Sequence, residues 1–405
     1  MFRRTRPQPT PLPDRGPLRV MFLVTSMPVG GAETLLVNLI RRMDRERFAP
    51  ELGCLKDRGP LGEQLAGEIP VFARRLTSKY DVRVLWRLQK LFTERRIDAV
   101  VTVGAGDKMF WGRLAAWRAG VPVVASALHS TGWPDGIGRL NRLLTPITDA
   151  FIGVAAPHGK HLIDVEGFPA AKVHVIPNGV DTDRFRPRPP SEALRAELRL
   201  APTDRVVAIV AALRPEKNHA MLLHAIARVR RSIDSVKLLV VGDGPERAGI
   251  ERLAAELGIA DAVQMLGNRG DVAEILAQAD VFALSSRMEA NPVSILEALA
   301  CEVPVVAPRV GSIPETVRDG ETGYLVESGN FDAMAQHIAD LLANEDTRRQ
   351  MGAAGRRLVV ANWSLDRMVR GYEQLIADVY ASKCPRNPAH VMSPDAALCP
   401  TDASR

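Results

Sequence analysis

Two carboxylates, Glu289 and Glu297, stand eight positions apart in the run Ser286-Arg287-Met288-Glu289-Ala290-Asn291-Pro292-Val293-Ser294-Ile295-Leu296-Glu297. Asparagine accepts from orphaned backbone amides and proline lacks the amide that would be orphaned, so Asn291 is expected to cap a helix that opens at Pro292. Glu289 then lies in the loop before the helix and Glu297 in its second turn. Between them the first turn, with Val293 and Ser294, offers free amides and a positive dipole end, which suits a diphosphate. Carboxylates flanking an anion site can serve as acceptors for hydroxyl groups, and a nucleotide sugar has hydroxyls at both ends. Two ordinary solvated helix charges would show the same spacing.

Other chemistry-bearing groups are weaker. Asp181-Thr182-Asp183 is a D-x-D triplet, a pattern that can hold a divalent metal, but it falls in a connecting segment rather than at a strand end, and no metal site is assigned. His158 and His161 lie three apart on an expected helix without a third ligand. Gly242-Asp243-Gly244 reads only G-x-G, and Gly249 is too distant to complete a dinucleotide fingerprint, which disfavours a dehydrogenase. Cys54, Cys301, Cys384 and Cys399 are too scattered for a disulfide framework or a zinc cluster.

The elements that must position these residues follow from the apolar runs. Arg19 to Thr25, Glu51 to Leu55, Ala99 to Val103, Val121 to Ala125, Phe151 to Val154 and Val173 to Ile176 read as strands in the first half. Val206 to Ala211, Val236 to Val241, Ala262 to Leu266, Ala279 to Leu284, Val303 to Ala307 and Gly323 to Val326 do so in the second. Continuous apolarity suits strands covered on both faces, and helical periods between them imply parallel crossovers. The expected architecture is α/β: two Rossmann-like, doubly wound parallel-sheet domains facing a central cleft, with ligands at the strand carboxyl ends. The expected first domain spans residues 18–180 and the second 181–362, with a break at Pro177-Asn178-Gly179-Val180 and a helix over 363–381 that returns to complete the first. Residues 1–17 and 382–405 read as disordered tails.

Charge is uneven. Met1 to Val180 carry 26 Lys and Arg against 16 Asp and Glu, a net of +10, which leaves −4 for the remainder. The first half should face something anionic. With 5% aromatic residues and no basic cluster interleaved with them, nucleic acid is excluded in favour of a phosphate-bearing acceptor or an anionic membrane surface. Arg83, Arg87 and Lys90 would form a basic helical stripe beside Leu85, Leu88 and Phe92. No apolar run approaches the roughly 20 residues of a membrane span and no signal peptide is evident, so a cytoplasmic protein, peripheral on the inner membrane face, is expected.

The E-x7-E run and the following Ala298-Leu299-Ala300-Cys301-Glu302-Val303-Pro304 resemble the signature of glycosyltransferase family 4, retaining enzymes of the GT-B fold. Gly30-Gly31-Ala32-Glu33, Pro177-Asn178-Gly179-Val180-Asp181, Lys217-Asn218-His219 and Gly242-Asp243-Gly244-Pro245 are similar to family motifs in the same order. The resemblance implies metal-independent transfer of a sugar from a UDP- or GDP-sugar to a hydroxyl of a glycan or lipid-linked acceptor, in cell-surface polysaccharide biosynthesis. The nucleotide sugar is a substrate and no cofactor is implied. Glu297 would hold the donor ribose, Glu289 the transferred sugar and Lys217 the diphosphate. Backbone at Leu266 and Gly267 would meet the base, Gly31 beside Gly30 would let the first loop approach the phosphates, and His129 would lie by the reacting sugar. Gly242 joins this donor set.

The chain departs from the pattern in three places. Ala290 and Glu302 replace glycines, and Glu302 implies either a different helix cap or a cost of order 1 kcal/mol. Ala212 stands where a phosphate-binding arginine is usual, with Arg214 two residues on as the substitute. A nucleotide-sugar 2-epimerase or phosphorylase of the same fold, or a non-catalytic nucleotide-binding module, is the alternative reading.

Overall fold

The computed structural model describes residues 16–73, 82–104, 107–128 and 141–384, so nearly all of both expected tails lie outside it. Residues 382 and 383, placed in the C-terminal tail by sequence, instead complete a helix, Leu365–Lys383.

Thirteen strands among the described residues form two wholly parallel sheets. The first holds β1 (Leu18–Val24), β2 (Phe48–Cys54), β3 (Val71–Phe72), β4 (Ala99–Val103), β5 (Val123–Ala127), β6 (Ala150–Gly153) and β7 (Val173–Val175), in the order β3-β2-β1-β4-β5-β6-β7. The second holds β8 (Arg205–Val210), β9 (Val236–Val241), β10 (Val263–Gly267), β11 (Val281–Ala283), β12 (Val305–Pro308) and β13 (Gly323–Val326), in the order β10-β9-β8-β11-β12-β13. This is the expected α/β architecture, two Rossmann-like sheets. In each sheet the winding reverses once, between β1 and β4 and between β8 and β11, and loops leaving those strands diverge to open a crevice.

Three aspartates fix strand starts by one device. Asp98, just before β4, accepts the Arg19 amide of β1 at 2.9 Å. Asp149, before β6, accepts the Val124 amide of β5 at 2.8 Å, and Asp280, before β11, accepts the Val206 amide of β8 at 2.8 Å. β11 begins at Val281 and not at Ala279, because the Ala279 amide closes the preceding helix on the Leu276 carbonyl at 3.0 Å. Similarly β5 begins at Val123: the Val121 amide closes the preceding helix on the Ala116 carbonyl at 3.0 Å, and Pro122 has no amide to give.

The helix Leu365–Lys383 buries Leu365, Met368, Val369, Tyr372 and Ile376 in the core of the first sheet, with Val20, Phe22 and Leu36. Arg42, on the helix Gly31–Arg42, holds this crossing by binding Asp181 at 2.8 Å and Asp366 at 2.7 Å, with Asp183 at 3.8 Å. The D-x-D carboxylates are therefore engaged by a guanidinium. On the helix Arg83–Glu94, Leu88 and Phe92 are buried and Leu85 packs on the same core. The expected apolar flank of the basic stripe thus faces the protein interior, and the exposed apolar residue of that helix is Trp86, with the Arg118 guanidinium 4.9 Å from its ring centre.

Glu302 takes the left-handed conformation at φ +62°, so the glycine missing from this helix end is replaced by strain and not by another cap. Gly352 packs against it so closely that a Cβ there would stand 2.0 Å from the Glu302 carbonyl oxygen. Glu302→Gly is expected to stabilise the protein by up to about 1 kcal/mol through relief of that strain. Gly352→Ala should cost roughly 2 kcal/mol or more by overpacking. Chemical denaturation of both variants checks the pair of signs.

Candidate active site

Lys217 and Glu289 arrive from opposite sides of the reversal in the second sheet. Lys217 ends a short 3-10 turn, Pro215–Lys217, after β8, and Glu289 stands within the loop after β11. The Lys217 Nζ donates to Glu289 Oε1 at 2.6 Å, and Ser286 Oγ donates to the same oxygen at 2.6 Å. The carboxylate is nearly buried and the lysine partly open to solvent. Two further bonds lace the loops together: Ser285 Oγ to the Lys217 carbonyl at 3.0 Å, and the Arg287 amide to the Glu216 carbonyl at 2.8 Å. Ser285 and Ser286 had no role in the sequence reading. The signal for Ser286 was its position three residues before a loop carboxylate, a reach a hydroxyl can span.

Behind Glu289 the backbone needs glycine. Gly311, at φ +55°, lies against it so tightly that a Cβ would fall 1.7 Å from the Glu289 carbonyl oxygen, and the Ser312 amide donates to that oxygen at 3.3 Å. Gly242, at φ +135°, likewise admits the Ala211 carbonyl, and its amide donates to the Gly267 carbonyl at 2.8 Å. Gly267 itself is left-handed at φ +66°, and Leu266 is half-buried.

The helix between the carboxylates differs from expectation. It spans Val293–Ala300, and Pro292 is its extended N-cap, at φ −73° and ψ 109°, not its first turn. Asn291 does not cap it. Proline biases the preceding residue away from helical geometry, and Asn178 of the connecting segment claims the Asn291 carbonyl through Nδ2 at 3.1 Å. Both amide atoms of the Asn291 side chain are buried without a partner among the described residues. The amides that open the helix, with Val293 and Ser294 half-buried, have no side-chain cap. Val293 also packs against the core of the first sheet, so this helix end lies where the two halves meet.

The Glu297 carboxyl has no hydrogen-bond donor among the described residues. Although the residue is only half-buried over its whole surface, desolvation pushes the carboxyl up to about 7, opposed by Arg184. His219, buried beside Lys217, is pushed down to about 4 by burial and by that lysine, and both its nitrogens are unpartnered.

Arg214 has the extended backbone its substitute role requires, at φ −125° and ψ 156°. Leu213 is buried while Ala212 and Arg214 are exposed, so the two alternate onto one side, and no described carboxylate pairs with Arg214. Gly30 caps the helix Gly31–Arg42 in an extended conformation, and Gly31 is its first residue. Neither takes positive φ, and the space where a Gly31 Cβ would stand is empty to 4 Å. His129 lies outside the described residues. His158 is structural in its surroundings: its Nδ1 accepts the Val154 amide at 3.3 Å.

A lysine and a helix end that offer positive charge, flanked by one engaged and one free carboxylate, can hold a diphosphate with hydroxyl-bearing groups on either side. The architecture defines the class. A glycosyltransferase from Rickettsia africae superposes with a TM-score of 0.79, covering 92% of this chain and 100% of that one at 20% identity. Anabaena HepE, solved in complex with UDP and glucose, superposes with a TM-score of 0.77, covering 89% and 99% at 22% identity. The fold is that of the GT-B glycosyltransferases. The family model for Glycosyltransferase Family 4 matches residues 29–184, and that for Glycosyl transferases group 1 matches residues 190–358. A GDP-mannose-dependent alpha-(1-6)-phosphatidylinositol monomannoside mannosyltransferase of Mycolicibacterium smegmatis is 36% identical over 293 residues, 68% of this chain and 75% of the relative. A D-inositol 3-phosphate glycosyltransferase of Segniliparus rotundus is 36% identical over 262 residues, 60% and 58% respectively. The chain belongs to glycosyltransferase family 4.

Raised above its ordinary value of 4.5, the Glu297 carboxyl is tolerated as a neutral acid and penalised as a carboxylate. Its contribution to stability is thus full below about pH 4.5 and lost as pH rises through about 7. Ligand-free Glu297→Gln should therefore gain about 1 to 2 kcal/mol over the parent at pH 8, after discount for partial exposure, and nothing at pH 4.5. Denaturation at the two pH values checks it.

Proposed function

We propose that the chain is a retaining, metal-independent glycosyltransferase that moves a hexose from a GDP- or UDP-sugar to a hydroxyl of a glycan or lipid-linked acceptor. The reading includes cytoplasmic work at the inner membrane face, in cell-surface glycan synthesis. The observation that carries it is the Lys217–Glu289 contact beside the free Glu297 carboxyl and the uncapped end of the helix Val293–Ala300. The relatives support the choice of substrates: one is named for GDP-mannose and a phosphatidylinositol acceptor, another for inositol 3-phosphate, and HepE is solved with UDP. An anionic acceptor suits the net charge of +10 on residues 1–180.

In this reading the diphosphate lies on the amides of Val293 and Ser294 and draws Lys217 away from Glu289. The exchange is favourable because the diphosphate carries more negative charge than one carboxylate. Glu289, released, accepts hydroxyls of the sugar, while Glu297 accepts those of the ribose. Leu266 and Gly267 meet the base through their backbone, Gly242 gives room to the loop beside them, and Gly30 and Gly31 close over the phosphates from the first sheet. As the bond between the sugar carbon and the phosphate oxygen breaks, the acceptor oxygen bonds that carbon from the same face. Its proton passes to the leaving phosphate oxygen. Lys217, Arg214 and the helix amides stabilise the charge that develops there, which is the largest contribution such a site can make without a bound metal.

Turnover tests the cations and the metal. Lys217→Ala should lower kcat for donor hydrolysis by roughly 100-fold and Arg214→Ala by roughly 10-fold, as expected for loss of a charge-assisted contact at the leaving group. Wild-type turnover in Arg214→Ala would remove it from the site. Activity should persist in EDTA; loss that magnesium or manganese restores would end the metal-independent reading.

A further inference from the structure

A cavity of about 630 Å³ lies at the end of the second sheet where strands begin, away from the crevice at their carboxyl ends. Asp280, just before β11, and Pro304, just before β12, line it from the sheet, and the helix Glu345–Asn362 lines it from outside. Its most buried charged group is Arg348, with 9% of the side chain exposed. The Arg348 Nη1 donates to the Leu341 and Leu342 carbonyls at 2.6 and 2.9 Å, and Nη2 stands 3.4 Å from Asp280 Oδ1. Asp280 also accepts the Val206 amide, so this pair is balanced in charge and fixed in place.

The other charged groups of the cavity are unspent. Glu345, Arg349, Ala353 and Arg357 recur every four residues, along one face of the helix. Glu345 precedes Arg349 in the order that favours an ion pair, yet the pair is not made. Among the described residues neither Arg349 nor Arg357 meets a carboxylate, and neither Glu302 nor Glu345 meets a cation. Glu302 joins this set from the left-handed backbone at φ +62°, with Gly352 of the same helix packed against its carbonyl. Backbone strain of this kind gathers at ligand-binding places, and here it sets a carboxylate on a cavity.

The balance of signs selects the ligand. An anion would meet Glu302 and Glu345 as well as the arginines, and a cation would meet the guanidiniums. A hydroxyl both donates and accepts, so a neutral polyol satisfies the two sets together, while Ala353 and Pro304 offer apolar surface to its C–H faces. The volume falls in the range of small-molecule sites, roughly 300 to 1,000 Å³, which is large for an amino acid and suited to a short oligosaccharide. We propose that this cavity is a second glycan-binding site, separate from the cleft, that holds a neutral oligosaccharide by its hydroxyls. Such a site retains a glycan chain without acting on it.

Saturation-transfer NMR on the full chain with maltotriose, cellotriose and mannotriose tests it. At least one of these sugars should bind at millimolar concentration, with an affinity that is the same in low and high salt, as a neutral ligand requires. The double variant Arg349→Ala/Arg357→Ala should bind it roughly tenfold more weakly, the scale of losing a charge-assisted hydrogen bond. Glu302→Gly should also weaken binding while it stabilises the fold, a combination that a purely structural role does not give. Donor hydrolysis should keep its wild-type rate in both variants. Transfer to none of the sugars, an affinity unmoved in either variant, or preferential binding of inorganic phosphate or glycine at these residues overturns the inference. Donor hydrolysis that falls in step with sugar binding would place the sugar in the cleft, and overturns it as well.

Discussion

The ion pair between Lys217 and Glu289 is the contact on which the arrangement of the second half depends. It joins the loops of β8 and β11, which the reversal of winding sends in opposite directions, and which sheet hydrogen bonds no longer hold. Ser286 saturates the same carboxylate oxygen, and the bonds from Ser285 and Arg287 run beside it. A nearly buried carboxylate left without its cation would cost several kcal/mol, so removing either partner alone should disturb the loops as well as the charge. The backbone of Glu289 is constrained separately and sterically, with Gly311 and Ser312 against its carbonyl. The loop is held by its back, which leaves its side chain able to exchange partners.

Among the described residues, several contacts join the two sheets. Asn178 reaches the Asn291 carbonyl, Val293 touches the core of the first sheet, and the Ala156 amide donates to Glu315 at 3.4 Å. The other tie is covalent and doubled, since the chain crosses near Val180 and crosses back at Ser364, where the two residues pair in a parallel bridge. Arg42 sits over that double crossing with Asp181 and Asp366. Two adjacent crossings under one guanidinium tie the halves at one place, the kind of short connection about which domains turn.

Much of the fold was legible because parallel strands covered on both faces leave continuous apolar runs. Ala99–Val103, Val236–Val241 and Gly323–Val326 coincide with the runs themselves. The two-residue β3 left no such run. Strand starts at Val123 and Val281 were misplaced because apolar content does not register where an amide is spent, as those of Val121 and Ala279 are on the ends of the preceding helices. The site was legible in part. Residue types at Lys217, Glu289 and Glu297 suggested charge and hydroxyl chemistry, but nothing in the spacing showed that the lysine would lie on Glu289 and not on Glu297. The cap at Asn291 was misread for a physical reason: its carbonyl partner, Asn178, stands 113 residues away, and local capping rules do not see it.

Three departures from local rules fall near the same helix end. The Asn291 amide, the His219 imidazole and the Ser312 hydroxyl are buried without partners, each unmet group costing about 1 to 3 kcal/mol where folded proteins ordinarily leave few. Asn291 lies between the two carboxylates, His219 follows Lys217 by two residues, and Ser312 gives its amide to Glu289 while its hydroxyl stays unbonded. Others lie apart: His158 and His161 in the first domain, Gln278 before β11, and His337 on the helix Phe331–Ala343. The second sheet thus gives up stability where the loops of β8 and β11 diverge, and at the opposite end only the buried Gln278 Oε1, just before β11, carries the same cost among the described residues of its strand starts. A crevice in which unmet polar groups gather beside a lysine and two carboxylates is the place where a bound ligand can meet them.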